Sequence, residues 1–198
     1  ELLKQYDLKG KKALGYIGSL YKYEGVELVV RAMSEICASV PNAVFMIVGS
    51  GPEEDNIKAL VSKLGLENKV IFTGKVEHAQ IPQYYSVMDL LVYARSRMRL
   101  TDLVTPLKPL EAMAMEKAVI GSDVGGIREI LDNGNVGLIF KCDSVSAIAH
   151  AAIKLLQNDA LRQEMGKKGR EYVLRTRDWK AIVSRAVDVY VELLNQSR

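Results

Sequence analysis

The sequence predicts an α/β fold: a doubly wound, six-stranded parallel sheet with helices on both faces and further helices at its C-terminal end. Two observations carry that expectation. Short apolar runs alternate with amphipathic helical stretches almost from end to end of the 198 residues. The run at 43–48 is also continuous rather than alternating, as suits a strand of a parallel sheet covered on both faces. Right-handed crossovers then place any ligand at the carboxyl ends of the strands.

Residues 1–11 (ELLKQYDLKGK) are polar and read as a linker or terminal arm, which leaves residues 12–198 as the folded domain. Residues 13–18 form a first strand, and a Gly-punctuated loop runs on to Gly25. Val26, Val29, Val30, Met33, Ile36 and Cys37 then share one helical face. Residues 43–48 are a second strand, broken by Gly49-Ser50-Gly51-Pro52, with a helix over about 53–64. The unit repeats with a strand at 69–73, a short helix around 80–86 and a strand at 89–93. A loop over 94–106 leads to a helix from about Leu107, a strand at 118–121, a short helix near 127–131 and a last strand at 137–140. Helices over 145–156, 160–174 and 179–194 finish the chain. In the last of these, Trp179, Ile182, Val183, Ala186, Val187, Tyr190, Leu193 and Leu194 trace one stripe. So many large apolar side chains predict burial against the sheet layer or a second domain.

Composition narrows the function. A net charge of +3, with Lys and Arg scattered apart from the short cluster Arg95, Arg97 and Arg99, argues against nucleic acid. Cys37 and Cys142 are far apart in apolar settings and read as buried, reduced thiols. His78 and His150 have no ligand-like spacing to them, so no structural zinc site is expected. No apolar run reaches the ~18–20 residues that span a bilayer, and no signal-peptide pattern opens the chain. The first residue is Glu1 rather than Met, so the sequence reads as a piece of something longer.

The most informative stretch is Val104-Thr105-Pro106-Leu107-Lys108-Pro109-Leu110-Glu111-Ala112-Met113-Ala114-Met115, followed by Val124-Gly125-Gly126-Ile127-Arg128-Glu129. The prolines confine a helix start, where free N–H groups attract phosphate and Lys108 adds a full positive charge. Glu111, one turn on, can accept hydrogen bonds from the paired hydroxyls of a sugar. Phosphate donors beside a hydroxyl acceptor describe a nucleotide or nucleotide-sugar site. The competing reading is an exposed i,i+3 pair on a well-started core helix. Gly15-x-x-Gly18-Ser19 after the first strand suits close approach to a diphosphate, and the main chain of Gly74-Lys75-Val76-Glu77-His78 suits a base edge. Gly49-Ser50-Gly51-Pro52 reads as mainly structural, and Gly125-Gly126 as a close-approach loop or a tight turn. No Ser–His–Asp set, metal cluster or thiol–imidazole pair stands out.

Taken together, these loops resemble those of the C-terminal, donor-binding domain of group 1, glycogen-synthase-like retaining glycosyltransferases of the GT-B fold. The resemblance runs from about Lys12 to Leu194. It rests on Gly18-Ser-Leu…Glu24-Gly25-Val26, Val48-Gly49-Ser-Gly51-Pro52, Phe72-Thr-Gly74-Lys-Val76, Leu110-Glu111-Ala-Met-Ala and Ser122-Asp-Val-Gly125-Gly126-Ile-x-Glu129. The LKPLEAMA form is most similar to bacterial exopolysaccharide-type transferases. The resemblance implies a Rossmann-like domain that binds a UDP- or GDP-sugar in a cleft shared with an N-terminal acceptor domain of similar size. It implies retaining hexosyl transfer to a glycan, lipid-linked or small-molecule acceptor, in polysaccharide biosynthesis. It further implies no metal or other cofactor, no transmembrane segment, and a cytoplasmic location that includes the inner face of the membrane. Glu111 would hold the ribose hydroxyls, the Val76 backbone the base, and the loop before Leu107, with Thr105, the phosphates.

Three departures accompany the resemblance. The family usually has an arginine at Ser19 and a lysine at Glu24, both diphosphate contacts, and a glutamate at Leu103. Lys22, Arg97, Arg99 and Lys108 are the candidates to supply the missing charge, and Asp102 the missing sugar contact, with Asp102 and Lys108 as the catalytic candidates. The rival reading from another class is a non-catalytic nucleotide-binding module or degenerate partner subunit. A sugar-nucleotide epimerase is disfavoured, because Gly-x-Gly-x-x-Gly is absent from the first βα turn and no Tyr-x-x-x-Lys pair is present.

Overall fold

The computed structural model describes residues 1–196; positions 197 and 198 of the expected domain lie outside the described residues. Six parallel strands, β1 (Lys12–Ile17), β2 (Ala43–Val48), β3 (Val70–Gly74), β4 (Leu90–Tyr93), β5 (Ala118–Ser122) and β6 (Leu138–Phe140), lie in the order β3-β2-β1-β4-β5-β6. Helices cover both faces, giving the doubly wound, Rossmann-like α/β architecture that the alternation of apolar runs with amphipathic stretches predicts. All of β2 is buried, and it pairs with β1 from Lys12↔Ala43 to Ile17↔Val48.

Helix α2 (Val26–Ser39) buries Val26, Val29, Val30, Met33 and Ile36 along one stripe. It packs on α3 (Glu54–Lys63) and α8 (Val145–Leu156), while α6 (Lys108–Ala114) packs on α9 (Asp159–Thr176). At the amino ends of the strands, the buried Arg162 joins Asp89 at 3.1 Å and Asp159, and Asp89 accepts the Ala13 N–H at 2.8 Å. That network ties α9 to β1 and β4.

Three regions add to the sequence reading or depart from it. The opening residues lie against the domain: α1 (Leu2–Gln5) packs on α4 (Ile81–Val87), and Leu8 is buried in the core. The 94–106 loop contains a helical turn, α5 (Arg99–Leu103), organised by the buried Thr101 hydroxyl, which donates to the Ser96 carbonyl and accepts the Met98 N–H. The apolar stripe of α10 (Trp179–Gln196) is not buried against the sheet, since Trp179 is 78% and Tyr190 66% exposed. Amphipathic periodicity marks a face that favours apolar contact; it does not say that this domain supplies the contact.

Candidate functional site

The strand order reverses between β1 and β4, and the loops leaving the strands there diverge to leave a crevice. A cleft of about 350 Å³ opens at the carboxyl ends of β1, β2 and β3. Gly18 and Ser19 form one wall, Gly49 and Ser50 the next, and Lys75 and Val76 the third. Lys108 reaches in from the start of α6 to complete the lining. Ile81 lines this cleft and also a second hollow of about 270 Å³, which contains Glu111, Tyr85 and His78. Lys108 and Glu111, one turn apart on α6, therefore open on two adjoining recesses.

Lys108 lies directly beneath Gly18, where a Cβ on that glycine would occupy the space of the ammonium end. Its Nζ stands 3.3 Å from the Tyr16 hydroxyl and 3.3 Å from Glu24 Oε1, and 5.4 Å from the centre of the Tyr16 ring. Glu24 is 3% exposed and also accepts from Arg95 at 3.2 and 3.4 Å. Arg95 is itself buried, donates to the Val104 carbonyl and lies 5.7 Å from the centre of the Tyr23 ring. A buried carboxylate gripped by two cations satisfies the requirement that charge removed from water be paired and hydrogen-bonded.

Tyrosines set the geometry of α6. The Tyr93 hydroxyl donates to the Lys108 carbonyl at 2.9 Å, Tyr85 to Glu111 Oε2 at 3.2 Å, and Tyr16 to the Ser19 carbonyl at 2.9 Å. Burial pushes all three phenols upward, with the Glu24 charge adding to Tyr16 and the Glu111 charge to Tyr85. They stay protonated and serve as fixed donors.

The remaining candidates are more scattered. Asp102 is exposed, and its Oδ1 accepts the Gly125 N–H at 2.9 Å, at the first turn of α7 (Gly125–Gly134). Gly126 lets α7 approach that segment closely, because a Cβ there would run into the Val104 carbonyl. Arg97 is exposed and holds Asp123 through both its carbonyl and its Oδ1. Burial pushes Asp123 up, but the Cys142 N–H and Arg97 outweigh it and hold the carboxyl below its usual range. Arg99 is exposed at the start of α5, and the Thr105 hydroxyl donates to Glu129. Leu107 is exposed next to Lys108, and Leu103 is 71% exposed. Lys22 lies outside the cleft and lines a separate hollow with Tyr21 and Glu53. The cleft thus brings together Gly18, Ser19, Val76 and Lys108 of the predicted set, with Glu111 in the adjoining hollow. Arg97, Arg99, Asp102, Thr105, Leu107 and Lys22 are not among its lining residues.

Several residues of the site were missed in the sequence. Gly49 and Ser50, read as structural, line the cleft, and the loop read as suiting a base edge contributes the Lys75 side of its wall as well as Val76. Tyr16 and Tyr93 carried a faint signal: each interrupts an otherwise aliphatic buried run with a hydroxyl that must find a partner. Among the described residues, no group of three or more His, Cys, Asp or Glu side chains is placed to hold a metal. No helix among them is long and apolar enough to cross a membrane.

Comparison with known proteins gives this geometry a setting. Residues 1–172 match the family described as glycosyl transferases group 1. The chain is 32% identical over 199 residues to N-acetyl-alpha-D-glucosaminyl L-malate synthase of Bacillus anthracis, covering 100% of this chain and 50% of that protein. The fold is that of Anabaena HepE, solved in complex with UDP, at a TM-score of 0.85 and 19% identity, covering 96% of this chain and 51% of that one. It is also that of the C-terminal domain of the glycosyl transferase group 1 family protein LpcC from Francisella tularensis, at a TM-score of 0.76 and 24% identity, covering 90% and 94%. The chain spans about half the length of the curated relatives it matches.

Proposed function

The chain belongs to the group 1 glycosyl transferases, and on that premise we propose that it holds the nucleotide-sugar donor, UDP- or GDP-linked, for retaining hexosyl transfer. One observation carries the reading: on α6 a cation and a carboxylate, Lys108 and Glu111, open on adjoining recesses at the carboxyl ends of the strands. Lys108 meets the diphosphate beside Gly18 and Ser19, with the main chain from Thr105 to Leu107 and helix start α6 as further donors. Glu111 holds the ribose hydroxyls, and the Val76 backbone meets the base. Asp102, beside the Gly125 N–H, takes the sugar, and Arg97 and Arg99 flank that side.

The acceptor, a glycan, a lipid-linked saccharide or a small molecule, docks on a second domain that completes the cleft, so this chain alone is expected to be inert in multiple-turnover transfer. Transfer needs no metal in this account, since cationic side chains and helix ends neutralise the leaving diphosphate, and a chelator should leave it unchanged. The work belongs to polysaccharide synthesis in the cytoplasm, at the inner face of the membrane where the acceptor is lipid-linked.

Titrating UDP, GDP, ADP and CMP against the chain tests the donor reading. UDP comes first, because the Anabaena neighbour was solved with it. Saturable binding of one nucleoside diphosphate is expected; no binding of any would contradict the reading. Ser19 and Glu24 in place of the usual cations favour one rival, a nucleotide-binding module without catalysis. Sugar transfer by the longer protein decides against that rival, and nucleotide binding without transfer decides for it.

A further inference from the structure

Glu24 is an acidic side chain set against the Lys108 that lines the cleft. It is buried beneath the cleft and engages two cations through hydrogen bonds of 3.2–3.4 Å. The two cations differ. Arg95 is nearly as buried as Glu24 and is locked further by the Val104 carbonyl and the Tyr23 ring. Lys108 has a side chain 28% exposed, lines the cleft, and is held by one contact to Glu24 at 3.3 Å and one to the Tyr16 hydroxyl at 3.3 Å, beside the Tyr16 ring.

We propose that Glu24 is a built-in counter-anion, a residue that selects on ligand charge by occupying Lys108 until a diphosphate displaces it. The inference rests on the donor reading for its natural ligand, though its logic concerns any polyanion in this cleft. A diphosphate entering beside Gly18 competes with Glu24 for the same ammonium and also meets the field of the buried carboxylate. Both effects weaken binding of the charged part of the ligand and leave the nucleoside part untouched. The Lys108 stem is flexible and its ammonium is a compact point charge, so exchanging one anion for another needs only rotation of the side chain.

The test is calorimetric titration of parent and Glu24→Gln with inorganic pyrophosphate, UDP and uridine, with melting temperature as the check on folding. Glu24→Gln keeps the shape and an amide oxygen for Arg95 while removing the charge. Pyrophosphate and UDP are expected to bind on the order of tenfold tighter to the variant, with uridine unchanged. In a Lys108→Met background the same substitution should give a smaller gain, because the competition is over Lys108. If Glu24→Gln melts far below the parent, Glu24→Asp carries the comparison. It keeps a carboxylate to pair the buried Arg95, shortens the reach of the oxygen that Arg95 and Lys108 share, and should shift binding in the same direction. Unchanged or weaker pyrophosphate binding by a folded variant overturns the inference, as does a parent and variant that both fail to bind pyrophosphate. A pyrophosphate gain with no nucleotide binding by either protein sustains the inference and removes the donor reading instead.

Discussion

The Tyr85 hydroxyl donates to Glu111 Oε2 at 3.2 Å, so a residue of α4 aims a carboxylate of α6 at the hollow between them. Glu111 is exposed and would otherwise sample several rotamers; the buried phenol restricts it. Tyr85→Phe is expected to weaken nucleoside binding severalfold, at a stability cost of about 0.5–1.5 kcal/mol for the lost bond. Calorimetry with uridine and thermal melting would check both. Undiminished uridine affinity would show that Glu111 needs no such support.

Trp179→Ala in the present chain should change stability by no more than about 0.5 kcal/mol, as for other surface substitutions. The indole is 78% exposed at the start of α10, so little packing is lost. Denaturant unfolding measures this. A loss of 3 kcal/mol or more would mean that the indole is buried in solution.

Glu129 accepts from the Thr105 hydroxyl and from Arg177 at 2.9 Å, which joins the loop before α6 to α7 and the end of α9. These two hydrogen bonds lower its carboxyl from the ordinary 4.5, outweighing a small opposing effect of burial. A depressed folded-state value means that the contribution is full above the unfolded-state value and is lost as pH falls through the folded one. Glu129→Gln should therefore melt below the parent at pH 7, and the gap should close as pH drops from about 4.5 downward. A gap that stayed constant across that range would show that the carboxylate charge is not what holds the junction.

Much of the architecture was legible because strands buried on both faces admit only apolar residues. The 43–48 run, for example, could be placed without ambiguity and is β2 to the residue. The helical turn at Arg99–Leu103 was not legible, since Met98, Leu100 and Leu103 point outward and the buried anchor is the polar Thr101. The α10 stripe left two partners open, the sheet layer or a second domain, and the exposure of Trp179 and Tyr190 removes the first: periodicity reports a preferred face and does not name what covers it. In the site, the placing of Lys108 and Glu111 one turn apart was readable because helical spacing fixes it locally. The grip of Glu24 on Arg95 and Lys108 was not, as it joins residues 71 and 84 positions apart that only the folded β1–β4 crevice brings together.

If Lys108 and Glu111 divide the donor between them, one set of titrations separates their shares. UDP, GDP, their nucleosides and the 2′-deoxy analogues would be titrated against parent, Lys108→Ala and Glu111→Ala. Pro106 and Pro109 lack N–H groups, so the start of α6 depends on the lysine for its charge toward a diphosphate. Lys108→Ala is predicted to weaken nucleoside diphosphate binding more than nucleoside binding. Glu111→Ala is predicted to weaken both by about 1.5–3 kcal/mol, as for hydrogen bonds to a charged group, and to erase discrimination against deoxyribose. If both variants bind like the parent, with stability shifted by only a few tenths of a kcal/mol as for an exposed helix pair, the account is contradicted.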